Sequence, residues 1–123
     1  MELIAMNTCD FQPRQIVSLE HEGTHLYAEI VQVVESRQMY WVRPLMLVFS
    51  DPLYPLFEPR LYDLRSAADL LWPREPFRAV LDTEVVPLLV RLLSLPQSNP
   101  DLTAAQQLSQ FIHQVWQAHP TAF

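Results

Sequence analysis

The chain has 123 residues, half of them apolar and 18% charged, with a formal net charge of −6. That composition excludes a disordered chain, and the length suits one hydrophobic core of ordinary size. All eight basic residues are arginines, scattered from Arg14 to Arg91 with no cluster of three, and Gly23 is the single glycine. A basic nucleic-acid stripe and a Gly-rich phosphate loop are both excluded on that ground.

The strongest apolar runs, residues 44–49 and 85–90, fall far short of the roughly 18 residues a membrane span needs. The first residues, MELIAMNTCDF, have no basic flank and no long apolar stretch, so no signal peptide is expected. Cys9 is the one cysteine. It offers no CxxC pair for zinc or redox chemistry and no internal disulfide, which fits a reducing cytoplasm. Eleven prolines against one glycine mean loops stiffened by proline.

Along the chain, Pro13 closes a lead-in and RQIVSL (14–19) reads as a short strand. LYAEIVQVV (26–34) and MYWVRPLMLVF (39–49) are β-branched and aromatic, and the four polar residues 35–38 join them as a hairpin. Pro44 cannot donate to a ladder, so it belongs at an edge or a bulge. SDPLYPLFEPR (50–60) is a stiff extended connection, LYDLR (61–65) one more strand, and SAADLLW (66–72) a helical turn or two before Pro73. VVPLLVRLL (85–93) is apolar almost all round and so predicts a buried helix, capped by Asp82, Thr83 or Glu84. PQSNP (96–100) breaks the chain before a last helix, for which Asn99 or Asp101 can supply the cap. Ala105, Leu108, Ile112 and Val115 form its apolar stripe, and Pro120 ends it.

The expected fold is α+β and a single domain over residues 1–123, mainly β over 14–65 and mainly α over 84–119. A small antiparallel sheet or open barrel comes first, and the two C-terminal helices cover one of its faces.

His21-Glu22-Gly23-Thr24-His25 matches H-E-x-x-H. On a helix, His21 and His25 share a face and can hold Zn²⁺, while Glu22 acts as general base on a metal-bound water. The local sequence opposes that helix. Gly23 costs about 1 kcal/mol against Ala in a helix interior, and the valines and isoleucine that follow favour a strand. In one strand the two imidazoles would share a face roughly 13 Å apart, too far to chelate one ion. The extended zincin pattern also fails, with Ala28 and Val31 at its further positions. A polar turn in which Gly23 reverses the chain is the favoured reading, and a zinc hydrolase is the alternative. His113 and His119 share no helix face and read as solvated. Asp63 and Arg65 bracket Leu64 as an ion pair or loop clamp.

Aromatic residues concentrate between 40 and 77, mostly as sheet core. The loop PLYPLFEP (52–59) cannot bury all its apolar side chains, so part of it belongs to a contact patch. The partner-binding residues expected are Tyr40, Trp41, Arg43, Tyr54, Phe57 and Arg65, because Trp, Tyr and Arg anchor protein contacts best. No catalytic residue and no cofactor are assigned. The function expected is a non-enzymatic, cytoplasmic protein-interaction, regulatory or assembly module, with a homodimer seam along the apolar last helices as a further contact.

The phrases LYAEIVQVVESRQMYWVRPLMLV (26–48) and YDLRSAADLLWPREPFRAVLDTEVVPLL (62–89) resemble a family of small, soluble, uncharacterised cyanobacterial proteins. The resemblance spans about two-fifths of the chain and rests on unbroken phrases rather than a catalytic signature. It implies a bacterial cytoplasmic protein and attaches no activity or site residue.

Overall fold

The computed structural model describes residues 11–50, 59–73, 76–96 and 102–118. Local preference governs the start of the chain. Strand β1 (Ile16–His21) turns through Glu22 and Gly23 into β2 (Thr24–Val34), and a single 3-10 turn (Glu35–Arg37) leads to β3 (Met39–Phe49). Strands β4 (Arg60–Asp63) and β5 (Leu70–Pro73) both pair antiparallel with β3, β4 on its second half and β5 on its first. The two-residue β6 (Arg78–Ala79) pairs with β1. Among the described residues the result is an antiparallel six-stranded sheet in the order β4-β3-β2-β1-β6, with β5 also on β3. Helices α1 (Asp82–Ser94) and α2 (Leu102–Ala118) follow, so the fold is α+β.

Pro44 sits where the ladder is already broken. Tyr27 pairs with Met46 and Ala28 with Pro44, leaving Leu45 as the extra residue of a bulge. The bulge has a packing consequence: Leu45 and Met46 both pack on the same side, in one apolar cluster with Val48 and Tyr27. A second irregularity leaves Val31 unpaired between Ile30–Val42 and Gln32–Trp41.

Alternation along the strands builds two cores, one on each face. Leu26, Ala28, Ile30, Tyr40, Val42 and Leu47 pack with Ala104, Leu108, Phe111 and Val115 of α2. Tyr27, Met46 and Val48 pack with Val85 and Leu92 of α1. The helices therefore lie on opposite faces, not together on one. Both sheet faces carry apolar residues, and each needs its own cover.

Four local expectations are corrected. Residues 70–73 form strand β5 rather than a helical turn, because the free edge of β3 offers backbone partners from Met39 to Val42. The stripe that α2 buries is Ala104, Leu108, Phe111 and Val115, with Ala105 exposed and Ile112 half-buried. Phe111 has the larger apolar surface, and burying it turns the helix by about one residue. Helix α1 is not a buried helix: it buries only Val85 and Leu92. Its first turn is not closed by a side-chain cap either, since Leu81 occupies the cap position with no side-chain bond. Asn99 and Asp101 lie outside the described residues.

Candidate functional site

The H-E-x-x-H residues form a hairpin end. His21 pairs with Thr24 and Glu20 with His25, and the two residues between have positive φ, Glu22 at 49° and Gly23 at 81°. Paired positive φ values are what a two-residue hairpin turn demands, and glycine meets the second without strain. His21 therefore follows the alternation of Leu19 toward the α2 face, and His25 that of Tyr27 toward the α1 face. The two imidazoles neither share a helix face nor lie along one strand. His21 Nε2 instead lies 2.9 Å from Glu22 Oε2. Nothing in this geometry supports the two-histidine ligand pair with Glu22 as base. Among the described residues no cluster of three His, Cys, Asp or Glu side chains is arranged to hold a metal ion.

His25 belongs to a different group. Its ring stacks on Tyr27 with centroids 5.9 Å apart. The Tyr27 hydroxyl donates to Glu84 Oε2 at 2.6 Å, and Arg78 grips the same carboxylate through Nη2 at 2.8 Å and Nη1 at 3.2 Å. This clamp stands in for the missing cap, because Glu84 in the first turn of α1 is favoured by the helix dipole while it is tied to β2 and β6. The Arg78 bonds hold the Glu84 carboxyl below its usual range. Burial, with the Glu84 bond second, raises the Tyr27 phenol. Burial also lowers His25 below its ordinary 6.5, with Arg78 acting in the same sense and Glu20 and Glu84 opposing. Ser18 Oγ and His25 Nδ1 are buried with no hydrogen-bond partner among the described residues.

These directions set the acid response. The neutral His25 ring contributes stability that is complete above its unfolded value of 6.5 and is lost as pH falls through its lower folded value. Asp63 and Glu84, both lowered from 3.8 and 4.5, lose their contributions only below those values. Thermal unfolding followed against pH should show a plateau above about pH 6.5 and a first decline just below it. In His25→Gln that first decline disappears and the carboxylate decline at lower pH remains.

The expected partner-binding residues divide sharply. Tyr40 is 0% exposed and packs in the core against Phe11 and Phe77, so it is a core residue and not a contact. Arg65 is a clamp: Nε and Nη2 bind the Asp63 carboxylate at 3.0 and 2.7 Å, and Nη2 also donates to the Leu95 carbonyl at 3.0 Å. The Arg65 bonds lower the Asp63 carboxyl, and the same guanidinium ties down Leu95, the residue that follows α1. The pair is a loop clamp, and that role takes Arg65 out of the contact set. Trp41 and Arg43 remain available. Trp41 is 41% exposed, with its Nε1 donating to Asp69 Oδ2 at 2.9 Å, and Arg43 Nε lies 3.5 Å from Asp69 Oδ1. Tyr54 and Phe57 lie outside the described residues.

Beside Trp41 stands its cross-strand neighbour Leu71, 53% exposed. On α1, Val86, Val90 and Leu93 are 50%, 63% and 69% exposed. Their spacing of four and three puts them on one stripe of the helix. The sequence does signal that stripe, through an apolar run on all sides of α1, but the same signal reads equally as burial. Leu71 carries no signal of its own, because the helical preference of 66–72 hides its place in a strand.

Comparison of the chain with family models, with curated proteins and with solved structures gives no match. No helix among the described residues is long and apolar enough to cross a membrane.

Proposed function

We propose that this protein is a non-enzymatic interaction module, of a regulatory or assembly kind, that holds a protein partner in the bacterial cytoplasm. Its contact face is the outer stripe of α1 together with Trp41 and Leu71. The observation that carries this reading is the three-residue stripe Val86, Val90 and Leu93, left half or more exposed on a helix whose opposite side is packed. Scattered single apolar residues are ordinary on a surface, but a contiguous exposed apolar stripe, with an exposed Trp elsewhere on the same face of the sheet, is the composition of a contact site. The net charge of −6 speaks against nucleic acid. Self-association is one form such a contact takes.

The test is capture from a lysate with the wild-type chain and with Val90→Glu plus Leu93→Glu. Both positions face solvent, so the melting temperature should stay within a few degrees while the captured proteins fall away. The same set of proteins retained by a folded double variant would remove α1 from the contact.

A further inference from the structure

Helix α1 covers only part of its sheet face, and its tethers fix how it lies. Glu84 at its start is held by Tyr27 of β2 and Arg78 of β6, and the Leu95 carbonyl at its end is held by Arg65, just past β4. The helix therefore runs across the strands from the β6 side to the β4 side. With Val85 and Leu92 turned down onto the sheet, the right-handed turn of the helix carries Val86, Val90 and Leu93 to one flank. That flank looks away from the Glu22–Gly23 turn and toward the end of the sheet that bears Trp41 and Leu71.

A step results, with the α1 stripe as its wall. Its floor is the strip of sheet from Arg43 to Met39, with Leu71 beside Trp41. Five residues of strand are about 13 Å or more at roughly 3.3 Å per residue, and a helix needs about 8–10 Å beside another. The strip has room for one helix.

We propose that the occupant is α1 of a second copy of this chain. This rests on the reading of the α1 stripe as the contact face and names the partner. A two-fold axis parallel to α1 brings two copies together sheet against sheet, with one layer of helices between. Each α1 then lies on that strip of the other copy, and the two helices run side by side in the same direction. Val86 meets Val86, Val90 meets Val90 and Leu93 meets Leu93 across the axis. Spacings of four and three are those of a parallel two-stranded seam. The outer side of each helix rests on Trp41 and Leu71 of the other copy, so the contact is isologous, the commonest form of oligomer. Val86, Val90, Leu93, Trp41 and Leu71 together expose on the order of 500 Å² per copy, so pairing two copies reaches about the 1,000 Å² that a specific interface needs.

Charge gives the arrangement a signature. The stripe positions carry no charge, but each copy carries −6, and parallel helices bring the two Asp82 residues to the same end of the seam. Like-charged copies repel at low salt, so added salt should tighten this dimer, the reverse of its effect on a charge-steered pair.

The experiment is sedimentation equilibrium of the full chain from micromolar to several hundred micromolar, at low and at high salt. Wild type should be a monomer–dimer equilibrium, with a dissociation constant that falls several-fold as salt rises. Val90→Glu should weaken it at least tenfold at an unchanged melting temperature. Val90→Cys, with Cys9 replaced by Ser, should form a disulfide-linked dimer on mild oxidation. A monomer at every concentration overturns the inference. So does a dimer that survives Val90→Glu, or one that Val90→Cys fails to link. A monomeric chain that still loses its captured proteins in the double variant leaves the interaction reading intact. Capture unaffected by that variant fails the interaction reading itself.

Discussion

Tyr40→Ala should cost about 3–5 kcal/mol of stability, while Trp41→Ala, one residue further on, should cost about 1 kcal/mol or less. Tyr40 is fully enclosed between Phe11 and Phe77, with ring centroids at 5.6 and 6.0 Å, and its hydroxyl accepts from the Phe11 backbone N–H at 3.4 Å. Truncation there removes a large buried ring and leaves a cavity, and a domain of this size has only about 5–15 kcal/mol to lose. Trp41 points to the opposite face, and what it loses is one exposed bond to Asp69 and part of a half-exposed ring. Chemical denaturation of the two variants separates them. Equal losses at the two positions would mean that the strand alternation assigned to β3 is wrong.

A second contrast of the same kind lies on α1. Leu92→Ala should cost about 2–5 kcal/mol, because Leu92 is 1% exposed in the core that joins α1 to Tyr27, Met46 and Val48. Leu93→Ala should change stability by about 0.5 kcal/mol or less, since Leu93 stands in solvent. Its effect should fall on binding instead. Urea midpoints of the two variants check the first statement, and capture or sedimentation of Leu93→Ala the second. A stable Leu92→Ala would mean that α1 does not pack on this face.

Much of the sheet is legible in the residues themselves, and for a physical reason. Residues 16–49 carry dense β-branched and aromatic residues, and one polar break and one glycine-bearing turn leave few ways to pair them. Pro44 signals an edge or a bulge because a residue without an N–H cannot donate to a ladder, and the pairing of both sides of β3 leaves the bulge. The failures are of another kind. Leu70–Pro73 follow a small-residue stretch with helical preference, and only the free edge of β3, distant in sequence, makes them a strand. For α1, an apolar run on all sides suggests burial, yet composition cannot say how much of a helix finds a neighbour.

The site residues are legible to the extent that their roles are local. Trp41 and Arg43 emerge on a solvent face as a strand pattern allows. Tyr40 joins them through composition alone, although alternation already places it on the other face from Trp41. The pairing of Arg65 with Asp63 is local and readable, but its bond to the Leu95 carbonyl depends on where α1 ends. The clamp of Tyr27, Arg78 and Glu84 joins three elements 6 to 57 residues apart. No local pattern announces it. The hairpin at residues 21–25 shows the converse case, in which a motif is present in letters while the backbone puts His21 and His25 on opposite faces.

If the open side of α1 is where this protein meets another chain, site-directed photo-crosslinking in living cells tests it most directly. A benzophenone side chain is placed at position 90 or 93 and, as control, at Gln110 on the exposed side of α2. Discrete adducts are expected from positions 90 and 93 and none from 110, whether the adduct is a second copy or another protein. Adducts absent from both α1 positions, or equally abundant from Gln110, would contradict that role for α1.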